Sequence, residues 1–308
     1  MSSFENLRIV DNFYQTSAFF PMPTVLIGTL TEDGRTTLGS YSLVQPYYVA
    51  GREYYAMLLC ARNSSNTAQN LLREGRCTLN FIPDSRKYFR EAVRLGFPGD
   101  TPAEKMERCL FGLEDGQMAA EHPGERFPQV VTDSFQVFEC TWMRELDGAQ
   151  DDQPGCLDGY EPPYHDFNGV TSRFGCHFIL RVDKILMKPR YRRAIVDGVK
   201  AGDFPLVPVD YGYRDSKHFW YTRGRRPIAE PLPTREVNLD AVRYAAERAD
   251  DVVKFTDDAC RTLVKVPRVF LTTVLRGCVA WAKENGVTLI TAEHMALIND
   301  KRAQEKKR

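Results

Sequence analysis

"PMPTVLIGTLTEDGRTTLGSYSLVQPYYVAGREYYAMLLCARNSSNTAQNLLREGRCTLNFIP", running from Pro21 to Pro83, is the stretch whose reading decides the fold. Thr24 to Thr29 is a short β-branched run. Glu32-Asp33-Gly34-Arg35 supplies a hairpin turn before a second run from Thr36 to Leu43. Tyr54 to Cys60 is a further apolar run and reads as another strand. It ends in Arg62-Asn63-Ser64-Ser65-Asn66-Thr67, which opens an amphipathic segment carrying Asn70, Leu71 and Leu72. A guanidinium beside Ser and Thr hydroxyls at the start of a helix is a place where a phosphate can sit, because the first-turn N–H groups point outward without partners. The same cluster also reads simply as a helix N-cap.

Working outward, the 308 residues fit a medium-sized domain with an appendage. Lys plus Arg and Asp plus Glu both number 41, so the charge balance gives no push toward nucleic acid. No apolar run approaches the length of a membrane span, and "MSSFENLRIVDNFY" lacks a secretory apolar core. The eight cysteines are widely spaced with no C-x-x-C pair, and several lie in apolar strand contexts. The expectation is a cytoplasmic protein with reduced thiols.

Strand signals dominate up to about Tyr221, with two irregular regions. The first, Asp84 to Phe127, contains a helical stretch around Glu104 to Phe111, with Thr101 as its cap and Pro102 at its first position. The second, Leu146 to Gly175, mixes the carboxylates Asp147, Asp151, Asp152, Asp158 and Glu161 with Tyr160, Tyr164 and Phe167, and reads either as a lid or as a solvated insertion. "GRRPIAEPLPTREVN" then reads as a linker. Helical periodicity follows over Leu239 to Asp250, from a Thr256 cap through Val264, and over Val266 to Asn285 with Gly286 as a stop. Thr291 caps a last helix. The division expected is 1–223 for the strand-rich domain, 224–238 for the linker and 239–308 for a small helical domain.

Several motifs are missing. There is no G-x-G-x-x-G after a strand, no Walker loop, no H-E-x-x-H and no G-x-S-x-G elbow, and the five histidines are not spaced as a zinc site. What remains is the order of weak motifs "TEDGRTTLGSYSL", "ARNSSNTAQNL" and "GRCTLNF", continued by "KMERCLFGL", "FECTW" and "GCHFILRVDKI". In that order they resemble the flavin reductase-like family of FMN-binding split barrels, over about residues 12–223.

The resemblance implies a mainly β fold with helices: an antiparallel, Greek-key-like FMN-binding split β-barrel, followed here by a small all-α C-terminal domain. It implies non-covalent FMN, NADH or NADPH as electron donor, and a homodimer that builds the flavin site across two chains. Carried over by position, Ser40, Tyr41, Ser42 and Leu43 face the flavin ring, while Arg62, Asn63, Ser64, Ser65, Asn66 and Thr67 surround the phosphate. His177, at the start of the late strand, takes the catalytic position near the nicotinamide, with Arg173 close by as a further cation. Two activities follow from the resemblance: an NAD(P)H-dependent flavin reductase, or an electron-relay protein of the flavoredoxin kind that takes electrons from a protein partner. The C-terminal "FTDDACRTLVKVPRVFLTTVLRGCVAWAKENGVTLITAEHMALINDK" resembles the small helical C-terminal domain of the light-independent protochlorophyllide reductase B subunit, over about residues 250–303. Val269, Phe270 and Leu271 depart from that family's aromatic and arginine residues. The resemblance implies a docking surface for a redox partner or a packing element, and no catalytic residues.

Overall fold

The computed structural model describes residues 4–10, 12–47, 55–145, 167–197, 203–213, 217–228, 230 and 238–305. The chain divides into two compact units, Met1–Ala229 and Glu230–Arg308. Most of the 146–175 segment, including its carboxylates, Tyr160 and Tyr164, lies outside the described residues, as does Cys156.

The first unit begins with α1 (Phe13–Thr16), β1 (Met22–Pro23), β2 (Val25–Leu30), β3 (Thr36–Tyr41), β4 (Val44–Tyr47), β5 (Ala56–Arg62), α2 (Asn66–Glu74) and β6 (Arg76–Phe81). It continues with α3 (Arg86–Leu95), α4 (Pro102–Glu107), β7 (Leu113–Glu114), α5 (Gln117–Glu121), β8 (Val130–Val131), β9 (Gln136–Trp142), β10 (Gly169–Val170) and β11 (Gly175–Met187). A helix over Pro189–Asp197 and the strands β12 (Val209–Tyr213) and β13 (Phe219–Thr222) complete it. The β2–β3 hairpin forms where the sequence predicts it. Gly34 adopts φ +80° and closes the turn with its N–H on the Thr31 carbonyl, a conformation costly for any side chain.

The main sheet is antiparallel and runs β3-β2-β6-β9-β11-β5-β4, with β10 paired to β11. Its two end strands, β3 and β4, are consecutive in the chain and joined only by Ser42 and Leu43. In a flat sheet six inter-strand steps of about 4.8 Å would hold those edges roughly 29 Å apart. The link from Tyr41 to Val44 spans three Cα–Cα steps, at most about 11 Å. The sheet therefore curls until its edges meet, leaving an unpaired seam between β3 and β4. This is the half-barrel of a split-barrel fold, and the fold class is mixed, with a curled antiparallel sheet and helices around it.

Alternation along each strand sorts the side chains. Val25, Ile27, Leu59, Leu79, Phe178 and Leu180 belong to one buried cluster, which also takes in Ala68 and Leu71 of α2. Leu26, Leu38 and Ile82 face the other way and pack with Phe89, Ala92 and Leu95 of α3. β2 is thus buried on both faces. Asn80, at the end of "CTLN", is fully buried and satisfied. Its amide donates to the Leu26 carbonyl at 3.1 Å and its oxygen accepts from Val131 N–H at 2.9 Å. Thr101 and Glu104 close a capping box on α4, with Pro102 at the first position, although the helix stops at Glu107 instead of running to Phe111.

In the second unit Asn238 caps the helix Leu239–Glu247 and Thr256 caps Asp257–Leu263. The helices Arg268–Glu284 and Ala292–Glu305 follow, with Gly286 at φ +67° after the first of them. Val242, Ala259, Leu275, Cys278, Ile290 and Met295 are among its core residues. A parallel two-stranded pairing, β14 (Lys254–Phe255) with β15 (Leu289–Ile290), joins residues far apart in sequence, which local periodicity does not announce. Among the described residues no helix is long and apolar enough to cross a membrane, and no cluster of His, Cys, Asp and Glu is arranged to hold a metal ion.

Candidate functional site at the barrel seam

The seam places the end of β3 against the start of α2. Ser65 is the N-cap of α2, its Oγ accepting from Ala68 N–H at 3.2 Å, and the Tyr41 hydroxyl donates to the same oxygen at 3.1 Å. Burial is the main cause of a raised Tyr41 pKa, so the phenol stays a donor. Thr67 is only 4% exposed and lies against β3. A Cβ on Gly39 would come within 2.5 Å of its hydroxyl, so glycine is what lets helix and strand approach here. Thr67 and Ser65 therefore hold α2 to β3. Asn66 and Asn63 are also engaged: Asn66 donates to the Asp100 carbonyl at 3.2 Å, and Asn63 to the Arg173 carbonyl at 2.8 Å.

Arg62 and Ser64 are different. Both are exposed, and neither side chain has a hydrogen bond or ion pair among the described residues. Arg62 lies close enough to Tyr14 to lower its phenol pKa, against a larger upward push from burial. It pairs in register with Gly175 of β11, and Ala61 with Cys176. This rim thus carries an exposed guanidinium, an exposed hydroxyl and the N-terminus of a nine-residue helix. Ser40 approaches the end of α3, where a Cβ on Gly96 would lie 3.6 Å from it. Ser42 is half-buried in the link, and Leu43 is exposed with its carbonyl accepting from Cys60 N–H at 3.0 Å.

His177 stands opposite Cys60 across β5, so Leu43, Cys60 and His177 form a row over three strands, about 10 Å from end to end. Its neighbours Cys176 and Phe178 belong to the buried cluster, which puts the imidazole on the opposite face of the sheet. There it stacks on Phe167 at 4.5 Å between centroids, and Phe167 in turn lies over Tyr47. Nδ1 of His177 is buried with no partner among the described residues, and burial lowers the pKa below its ordinary value. That environment favours the neutral imidazole, and its ring makes no hydrogen bond among the described residues. Arg173, beside it in sequence, lies over the Phe174 ring.

The predicted ring segment, phosphate segment and His177 are thus gathered around one rim. Tyr14, Cys60 and Phe167 were missed as members of it. The aromatic density of "FYQTSAFFP" was the available signal for Tyr14. Phe167 falls in the segment that reads either as a lid or as a solvated insertion, and no local pattern shows that it covers His177.

No protein-family model and no curated protein matches the chain. Among solved structures, it is similar to the 2-nitrobenzoate 2-nitroreductase of Pseudomonas fluorescens, at 12% identity and TM-score 0.48, over 75% of this chain and 96% of that one. It is similar to the flavoredoxin of Methanosarcina acetivorans at 15% identity and TM-score 0.48, over 75% and 97%. It is also similar to an FMN-binding protein of Thermus thermophilus at 14% identity and TM-score 0.48, over 75% and 100%.

Proposed function

We propose that the barrel unit binds FMN without a covalent bond and acts as an oxidoreductase, with NADH or NADPH as donor. The observation that carries the reading is the pair of unengaged side chains, Arg62 and Ser64, at the capped N-terminus of α2. A phosphate set there meets a guanidinium, a hydroxyl and first-turn N–H groups, the donor set an anion requires. Ser65 and Thr67 serve the seat indirectly, by fixing α2 to Tyr41 and Gly39.

Bound there, FMN would supply the hydride chemistry, taking a hydride from a pyridine nucleotide and delivering electrons to an acceptor. The chain's part is to hold the phosphate at Arg62, to present the Ser40–Leu43 link along the seam, and to keep a neutral imidazole on the β5–β11 face. The His177 ring has no hydrogen-bond partner among the described residues, and so is available to a polar group that docks over Cys60.

The test is an anaerobic visible spectrum of the FMN-reconstituted protein before and after adding NADH and, separately, NADPH. Bleaching of the flavin band is the expected result, and it names the donor. A flavin that binds but stays oxidised contradicts the pyridine-nucleotide step and favours an electron relay. Failure to bind FMN overturns the reading. His177→Ala is expected to slow the bleaching more than it weakens FMN binding, and equal rates would remove His177 from the reaction.

A further inference from the structure

Asn66, Gln69, Asn70 and Arg73 recur on one face of α2 and line a groove of about 1030 Å³, walled on its other sides by the β2–β3 hairpin and by α4. Its charges are unevenly engaged. Arg73 donates to the Leu30 carbonyl and to Asn70, and pairs with Glu74. Arg35 is paired with Asp33, and Glu104 is tied to Thr101 in the capping box. Glu32 and Glu107 line the same groove and are exposed, and neither carboxylate has a hydrogen bond or ion pair among the described residues. The charge left uncompensated in the groove is therefore negative.

A second observation is independent of charge. Thr37 also lines the groove and is 3% exposed, and its hydroxyl has no partner among the described residues. Buried hydroxyls without a partner are uncommon, because each has given up its water without a replacement hydrogen bond. An entering group with an N–H donor would satisfy it.

We propose that this groove binds a small organic cation, of the amidinium or ammonium class, with Thr37 accepting a hydrogen bond and Glu32 and Glu107 supplying the counter-charge. Met106, Ala103 and Pro102 provide an apolar wall for the ligand's hydrocarbon part. The site is separate from the Arg62 rim and of opposite sign, so it does not rest on the flavin reading.

Benzamidine, benzamide and benzoate share one shape and differ in charge, which makes them suitable probes for the full-length protein in ligand-observed NMR titrations. Benzamidine is expected to bind about tenfold or more tighter than benzoate, with benzamide between them. Replacing both acids, Glu32→Gln with Glu107→Gln, brings benzamidine to the affinity of benzamide and leaves benzamide unchanged. Thr37→Val weakens benzamidine and benzamide alike, by about threefold or more. If that variant does not fold, the two exposed glutamates still decide the matter. Equal affinities for the three probes, tighter binding of benzoate, no binding by any, or a double variant that leaves benzamidine unchanged would each overturn the proposal.

Discussion

The two surroundings of α2 are opposite in sign although a single nine-residue helix supplies both. At its N-terminus the acceptors are used up: Ser65 caps the helix and takes the Tyr41 hydroxyl, and what stays unengaged is a cation and a hydroxyl. Along its flank the cations are used up, Arg73 on a carbonyl and Arg35 on Asp33, and what stays unengaged is two carboxylates. Which groups have already been spent on structure decides what each region can receive.

Both surroundings hang on α2 staying in place, so the largest expected effect comes from breaking its anchor. Leu71 is fully buried in the barrel cluster, and Leu71→Ala is expected to cost about 2–5 kcal/mol through the cavity it leaves. Urea denaturation measures this. A loss below about 1 kcal/mol would mean that Leu71 does not anchor α2 to the barrel cluster.

A smaller and more selective change separates the two regions. Ser65→Ala removes the N-cap acceptor and the Tyr41 partner, at about 1 kcal/mol of stability. It is expected to weaken FMN by loosening the phosphate seat, while benzamidine affinity in the groove stays within twofold or so. Parallel loss of both ligands would show that the two regions are not independent.

The smallest effect is in pH. Burial lowers the His177 pKa in the folded state, so between that lowered value and about 6.5 the unfolded chain binds more protons. Stability from this residue therefore rises with pH through that window and is lost as pH falls through it. His177→Gln is expected to flatten the dependence just below about pH 6.5, read from denaturation midpoints. An unchanged slope would place the titration elsewhere.

Much of this arrangement was written locally in the chain. Gly34 in the β2–β3 turn, the pattern around Ser65, and Thr101 with Pro102 are short-range signals, and each forms the turn or cap its chemistry favours. The terminal helices of the second unit were legible for the same reason, through Thr256 and Gly286. The seam was harder. That β3 and β4 end at opposite edges of one sheet depends on β11 pairing with β5 across more than a hundred residues and β9 with β6 across more than fifty, and periodicity carries no such information. The same limit hid the role of Thr67, which packs against Gly39 of β3. It also hid the groove, where α4 comes to the hairpin from a segment read as irregular.

The central claim is that an unengaged Arg62 at the capped N-terminus of α2 holds a flavin phosphate. Its most direct test is a flavin-fluorescence titration of FMN and of riboflavin, which lacks the phosphate, into the wild-type protein and Arg62→Ala. The account predicts that wild type prefers FMN and that Arg62→Ala loses about tenfold or more for FMN while riboflavin affinity hardly moves. Equal affinity of the wild-type protein for FMN and riboflavin, or an Arg62→Ala variant that binds FMN as wild type does, would contradict it.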